Sequence, residues 1–187
     1  MLLPATLLAL ALSAAPEAAT TEEPDPVYPW SDSHSLIFGH VVERSGFHFQ
    51  AVFGIGGGPE NEGLFHAMEL GGTFKNGITL AMLHTFTQNK GILGPERGPD
   101  LIGGWMLEVK APIFYPEFEV KFAAGLGGLH DQSDGIKAIP GFGIAWGFDF
   151  HVPFFRNSGL TVGVTGINAW VPEPYFTFGV GLGYTFF

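Results

Sequence analysis

From Phe47 onward, apolar residues alternate with small or polar ones at a period of two, and turns rich in glycine, proline and asparagine interrupt the pattern. The stretch Tyr175–Phe187 shows it most cleanly. Phe176, Phe178, Val180, Leu182, Tyr184 and Phe186 make one apolar row; Tyr175, Thr177, Gly179, Gly181, Gly183 and Thr185 make the other. A period of two belongs to a β-strand, whose successive side chains point to opposite faces. A soluble edge strand would set polar groups opposite its core face. Here the second face is narrow, mildly polar and half glycine. That suits a strand with one face in lipid and the other lining a crowded barrel.

Seven earlier segments repeat the pattern. Phe47–Gly57 sets Phe47, Phe49, Ala51, Phe53 and Ile55 against His48, Gln50, Val52, Gly54 and Gly56. Leu64–Lys75 sets Leu64, Met68, Leu70 and Phe74 against Ala67, Glu69, Thr73 and Lys75. Asn76-Gly77 then predicts a tight hairpin, since both residues tolerate positive φ. Ile78–Gln88 returns with Ile78, Leu80, Met82 and Phe86 opposite Thr79, Thr85 and Thr87. In Leu101–Ile113, Trp105, Leu107, Val109 and Ile113 oppose Glu108 and Lys110. In Glu117–His130, Phe118, Val120, Phe122 and Leu126 oppose Glu117, Glu119, Lys121, Gly125 and Gly127. Ile139–Phe154 sets Phe142, Ile144, Trp146, Phe148, Phe150 and Val152 against Gly141, Gly143, Gly147, Asp149 and His151. Leu160–Trp170 alternates as far as Thr165 and loses phase near Gly166, which predicts a bulge. Each segment is long enough for a tilted strand to cross a hydrocarbon layer, which takes about 9–11 residues.

The connections sort by length. Gly58–Gly63, Asn89–Asp100, Asp131–Ala138 and Val171–Pro174 are mostly longer and polar; Asn76-Gly77, Phe114–Pro116 and Phe155–Gly159 are mostly tight. A barrel that crosses a membrane up and down has this asymmetry, whereas a soluble sandwich has no reason for it. Composition narrows the choice to those two folds. The chain is 46% hydrophobic but only 14% charged, where soluble domains carry about 25%. No stretch offers the roughly 20 consecutive apolar residues of a spanning helix. A net charge of −10 argues against a nucleic-acid partner, and the absence of cysteine removes disulfides, thiolate metal sites and a Cys nucleophile.

Residues 1–19 are apolar and rich in Leu and Ala, and read as a secretory signal peptide. No Lys or Arg precedes the apolar run and Pro4 interrupts it, so an uncleaved hydrophobic arm is the alternative. Residues 20–46 form an acidic, proline-rich lead-in, followed by a segment from Ser35 whose Gly39 and Val41-Val42 oppose a stable helix. The barrel proper is assigned to residues 47–187.

The eight alternating segments and their sorted connections resemble the small eight-stranded outer-membrane barrels of the OmpA-, OmpX-, OmpW- and opacity-like group. The resemblance covers Phe47–Phe187 and rests on pattern rather than on a fixed motif. It implies an all-β fold, a transmembrane antiparallel up-and-down eight-stranded barrel in the bacterial outer membrane with both termini periplasmic. It also implies three kinds of partner: outer-membrane lipids, the assembly machinery that reads the C-terminal strand, and an extracellular ligand at the outward loops. One departure stands out. Such barrels usually place the final Phe in the lipid-facing register, whereas here Phe186 and Tyr184 hold it and Phe187 is out of phase.

An eight-stranded barrel is just wide enough to be filled by its own side chains. The inward charges are expected to form a lumen network of Glu69, Lys75, Glu108, Lys110, Glu119, Lys121, Asp149 and His151, with Glu117 nearby. This network acts either as a salt-bridge plug or as a hydrated ion path. The lipid-facing aromatic belt is expected to hold Phe53, Trp105, Phe122, Trp146, Phe150, Phe178 and Phe186. Gly54, Gly56, Gly104, Gly125, Gly127, Gly141 and Gly143 cluster at the outward half. They either leave a cavity for an apolar molecule or merely relieve crowding around Phe65, Leu83 and Met106. His48 is expected inward, and His66, His84 and His130 outward near the rim. No histidine pair has local metal-ligand spacing, so no metal site and no cofactor are expected. Some barrels of this size are lipid A deacylases or acyltransferases with a Ser, a His and an acid. Only His130-Asp131-Gln132-Ser133 offers those residue types together, so no catalytic residues are assigned. The expected role is structural or surface-binding, with a narrow channel for small solutes and a lipid A-modifying enzyme as alternatives.

Overall fold

The computed structural model describes residues 46–58, 62–89, 101–131, 137–155 and 157–186. The stretch read as a signal peptide, the lead-in as far as residue 45, the segment that holds Ser133, and Phe187 lie outside the described residues. The alternating segments form eight strands: β1 (Gly46–Gly57), β2 (Glu62–Thr73), β3 (Thr79–Asn89), β4 (Leu101–Ile113), β5 (Tyr115–Asp131), β6 (Lys137–Phe155), β7 (Ser158–Trp170) and β8 (Pro174–Phe186). Each pairs antiparallel with its chain neighbour, and β1 closes on β8 through registers such as Phe49 to Phe186 and Ile55 to Val180. Closure leaves no strand edge unpaired, which a wall facing hydrocarbon requires.

The hairpins at the tight end correct two expectations. β2 ends at Thr73, whose hydroxyl meets that of Thr79 at 2.8 Å across the hairpin mouth. Phe74 and Lys75 therefore belong to the turn, closed by the Gly77 amide donating to the Phe74 carbonyl at 2.8 Å. Gly77 alone takes positive φ there, at 80°, while the Asn76 side chain accepts from the Ile78 amide at 3.1 Å. Asn76 caps the turn instead of adopting the left-handed backbone that the Asn-Gly pair suggested. At the β4–β5 turn the left-handed position falls on Phe114, at φ 63°, with its ring 95% exposed.

Burial is inverted relative to a soluble domain. Leu126 and Leu182 on the outside are 71% and 68% exposed, whereas Glu108 and Asp149 inside are fully buried. The lumen is filled in layers. Val52, Phe65, Ala67, Leu83, Met106, Ala123, Ala145 and Ile167 form an apolar plug. Toward the long-loop end, Ile102, Leu129, Ala169 and Val171 form a second cluster, with Ile139 and Tyr175 packed on it. Toward the tight-turn end lie the charges. β7 keeps its phase: the bulge expected near Gly166 is absent, and the registers shift instead at Pro112/Ile113 and Pro153/Phe155. Gly166 stays outward beneath the Trp146 ring, and Ile167 turns inward because the plug has an apolar place for it.

Candidate functional site

The charged layer joins neighbouring strands and strands that lie apart in the wall. Lys110 of β4 reaches Glu69 of β2 and Asp149 of β6, both at 2.8 Å, and Glu119 of β5 at 3.2 Å. Lys121 of β5 reaches Asp149 at 2.9 Å and Glu69 at 3.4 Å. Lys110 and Lys121 are cross-strand partners, an arrangement that would repel if left alone. Glu69 and Asp149 each bridge both ammonium groups, so the four charges alternate in sign around a ring that crosses the lumen. A buried charge is tolerable only when it is paired and hydrogen-bonded in this way.

Neutral groups complete the ring. The Gln50 amide donates to Glu69 at 3.0 Å and Asp149 at 2.9 Å. Its carbonyl accepts from Lys110 at 3.0 Å and from Thr185 at 2.8 Å. Every hydrogen-bonding position of that side chain is thus used. His48 touches Glu69 at 3.2 Å, and His151 spans Glu119 and Thr161, both at 2.8 Å. Thr161 in turn hydrogen-bonds Thr185. Gln50, Thr161 and Thr185 lie outside the set expected from sequence, because charge was its only marker.

Two expected members stand apart. Lys75 sits exposed in the β2–β3 turn, not in the lumen, because the strand ends before it. Glu108 points inward and is fully buried, within electrostatic reach of Lys110 and Lys121, yet neither carboxylate oxygen has a hydrogen-bond partner. Its wall neighbours are Ala81 and Ala123, which offer no donor. Glu119, Asp149 and His151 bring ligand atoms within 4.8 Å of one another, a spacing that would suit a metal. The Lys110 ammonium already lies against two of those carboxylates, so a metal would have to displace a fixed cation.

Of the two readings of the outward glycines, relief of crowding is the one that holds. A Cβ at Gly143 would come within 2.6 Å of the Met106 side chain, and one at Gly179 within 2.2 Å of the Phe65 ring. The glycines thus make room for two large side chains that fill the barrel. On the outside, Phe53, Trp105, Phe122, Trp146 and Phe178 are exposed, and Phe150 and Phe186 are half-covered by Phe118 and Phe47. His66 and His84 share that outer face and hydrogen-bond each other, Nε2 to Nδ1, at 3.1 Å. His130 lies on β5, paired with Leu101 in the wall.

No protein-family model matches the chain, and no curated protein matches it. Among solved structures, the chain is similar to the crystal structure of Neisserial surface protein A (NspA). The TM-score is 0.52 with 15% identity, over 75% of this chain and 96% of that one.

Proposed function

We propose that this is a small outer-membrane β-barrel with a closed lumen and a structural or surface-binding role. The observation that carries the reading is the double seal inside the wall. An ion would have to pass both the hydrogen-bonded ring around Lys110 and the plug of Phe65, Leu83, Met106 and Ile167. Neither layer opens without breaking contacts that the fold needs. The continuous exposed apolar face, together with the likeness to a barrel named as a surface protein, supports a membrane location.

In this reading the tight turns and both termini face the periplasm and the longer connections face outward. The outer face contacts membrane lipid, and Tyr184 and Phe186 of β8 present the assembly signal. Planar-bilayer recording tests the seal: the account expects no unitary conductance. A reproducible unitary current abolished by a bulky lumen substitution would establish the channel alternative instead. Incubation with lipid A and phospholipids, followed by mass analysis, tests the enzymatic alternative. Turnover that is lost in Ser133→Ala would replace the non-enzymatic reading.

A further inference from the structure

The outer face carries a feature that neither the seal nor the fold requires. His66 and His84 form a hydrogen-bonded imidazole pair at 3.1 Å. Aromatic rings hold it: Trp105 lies on His84 with centroids 4.2 Å apart, and Phe86 meets His66 edge-on at 3.6 Å. Beside the pair, Gly103 of β4 and Gly128 of β5 are cross-strand partners, so the outer surface is dented there. His84, Phe86, Trp105 and Leu126 border a groove of about 470 Å³ over these glycines, with an almost wholly apolar lining. It runs from the histidine pair toward the long-loop end. A Cβ on Gly103 would lie 2.1 Å from the Thr85 carbonyl oxygen, so the dent is fixed by how closely the strands approach.

From this geometry we infer a lipid site on the outer wall: the groove takes an acyl chain, and the imidazole pair binds a hydroxyl-bearing lipid. The inference rests on the proposed membrane location. The chemistry of the pair selects the ligand. Each neutral imidazole has one N–H and one bare nitrogen. Whichever ring donates within the pair, one N–H and one bare nitrogen remain for an outside partner. Water is scarce at a lipid-facing surface, and polar groups there need partners. The ester and phosphate oxygens of a phosphatidylcholine, whose headgroup has no donor, accept hydrogen bonds and so satisfy only the N–H. A β-hydroxyacyl chain adds a hydroxyl, which donates to the bare nitrogen while its ester carbonyl accepts from the N–H. The site therefore distinguishes hydroxylated from plain acyl lipids.

Native mass spectrometry of the folded barrel tests this with two probes. They are phosphatidylcholine with β-hydroxytetradecanoyl chains and the same lipid with plain tetradecanoyl chains. The wild type is expected to retain the hydroxylated lipid roughly three- to tenfold better, the effect of one or two net hydrogen bonds. His84→Phe keeps the ring stack and should erase the preference while still retaining both lipids. Leu126→Trp, which crowds the groove from an exposed position, should lower retention of both. Equal retention by the wild type, or a preference that survives His84→Phe, overturns the inference. Heat-modifiable migration of the same samples in vesicles separates the two levels. A barrel that inserts but shows no preference defeats only the lipid site, whereas failure to insert defeats the membrane reading beneath it.

Discussion

Two adjoining layers of the lumen, the central plug and the charged ring, fill the same cylinder by different physics. In the plug, Phe65, Leu83, Met106 and Ile167 meet through shape, and glycines on opposing strands give them room. In the charged layer, Glu69, Lys110, Lys121 and Asp149 meet through directional bonds that tie β2 to β6 across the barrel. The plug tolerates loss in proportion to the volume removed. The ring does not, because each member is buried on the condition that the others remain. Stability should therefore respond to one lost charge more sharply than to one lost apolar side chain.

Lys110→Met is the most severe test, since it leaves three carboxylates without their shared cation. A loss of about 4 kcal/mol is expected from urea unfolding in vesicles. Replacing Glu69, Lys110, Glu119, Lys121 and Asp149 together with apolar residues of similar volume, and Gln50 with Leu, should recover most of that loss, because no carboxylate that the two lysines contact then remains. Leu83→Ala in the plug should cost about 3 kcal/mol, within the usual range for a buried leucine. Glu108→Leu should act in the opposite direction. Its buried carboxylate has no hydrogen-bond partner, so removal is expected to gain about 2 kcal/mol by the same assay. Phe148→Ala on the exposed outer face should change stability by under about 1 kcal/mol, since lipid occupies the space that the ring leaves. If Phe148→Ala cost as much as Leu83→Ala, the outer face would be packed against protein.

Strand number, order and facing were legible because a period of two is a direct imprint of the pleat, and the sorted connections fixed the up-and-down order. Errors arose where that pattern met a different constraint. Alternation ran on through Phe74 and Lys75 although the chain had already turned, so Lys75 was drawn into the lumen. At Gly166-Ile167 an apolar residue turned inward, and phase appeared lost only because apolar was equated with outward. Gln50, Thr161 and Thr185 were invisible as ring members because a neutral side chain carries no sign of its partner in sequence. The His66–His84 contact needed the β2–β3 register, in which Met68, not His66, faces His84. The choice between an outward cavity and filling by Phe65 and Met106 stayed open in the sequence, because it depends on volumes across the barrel that no local pattern encodes.

The central claim is that the apolar rows outside meet acyl chains. Because the chain has no native cysteine, spin labels can be placed singly at Leu80, Met82, Phe122, Leu126 and Leu182 before folding into vesicles. The account predicts that all five collide readily with oxygen dissolved in the bilayer and rarely with an aqueous nickel chelate. Frequent collisions with the nickel chelate, or labels immobilised beneath a second protein layer, would contradict it.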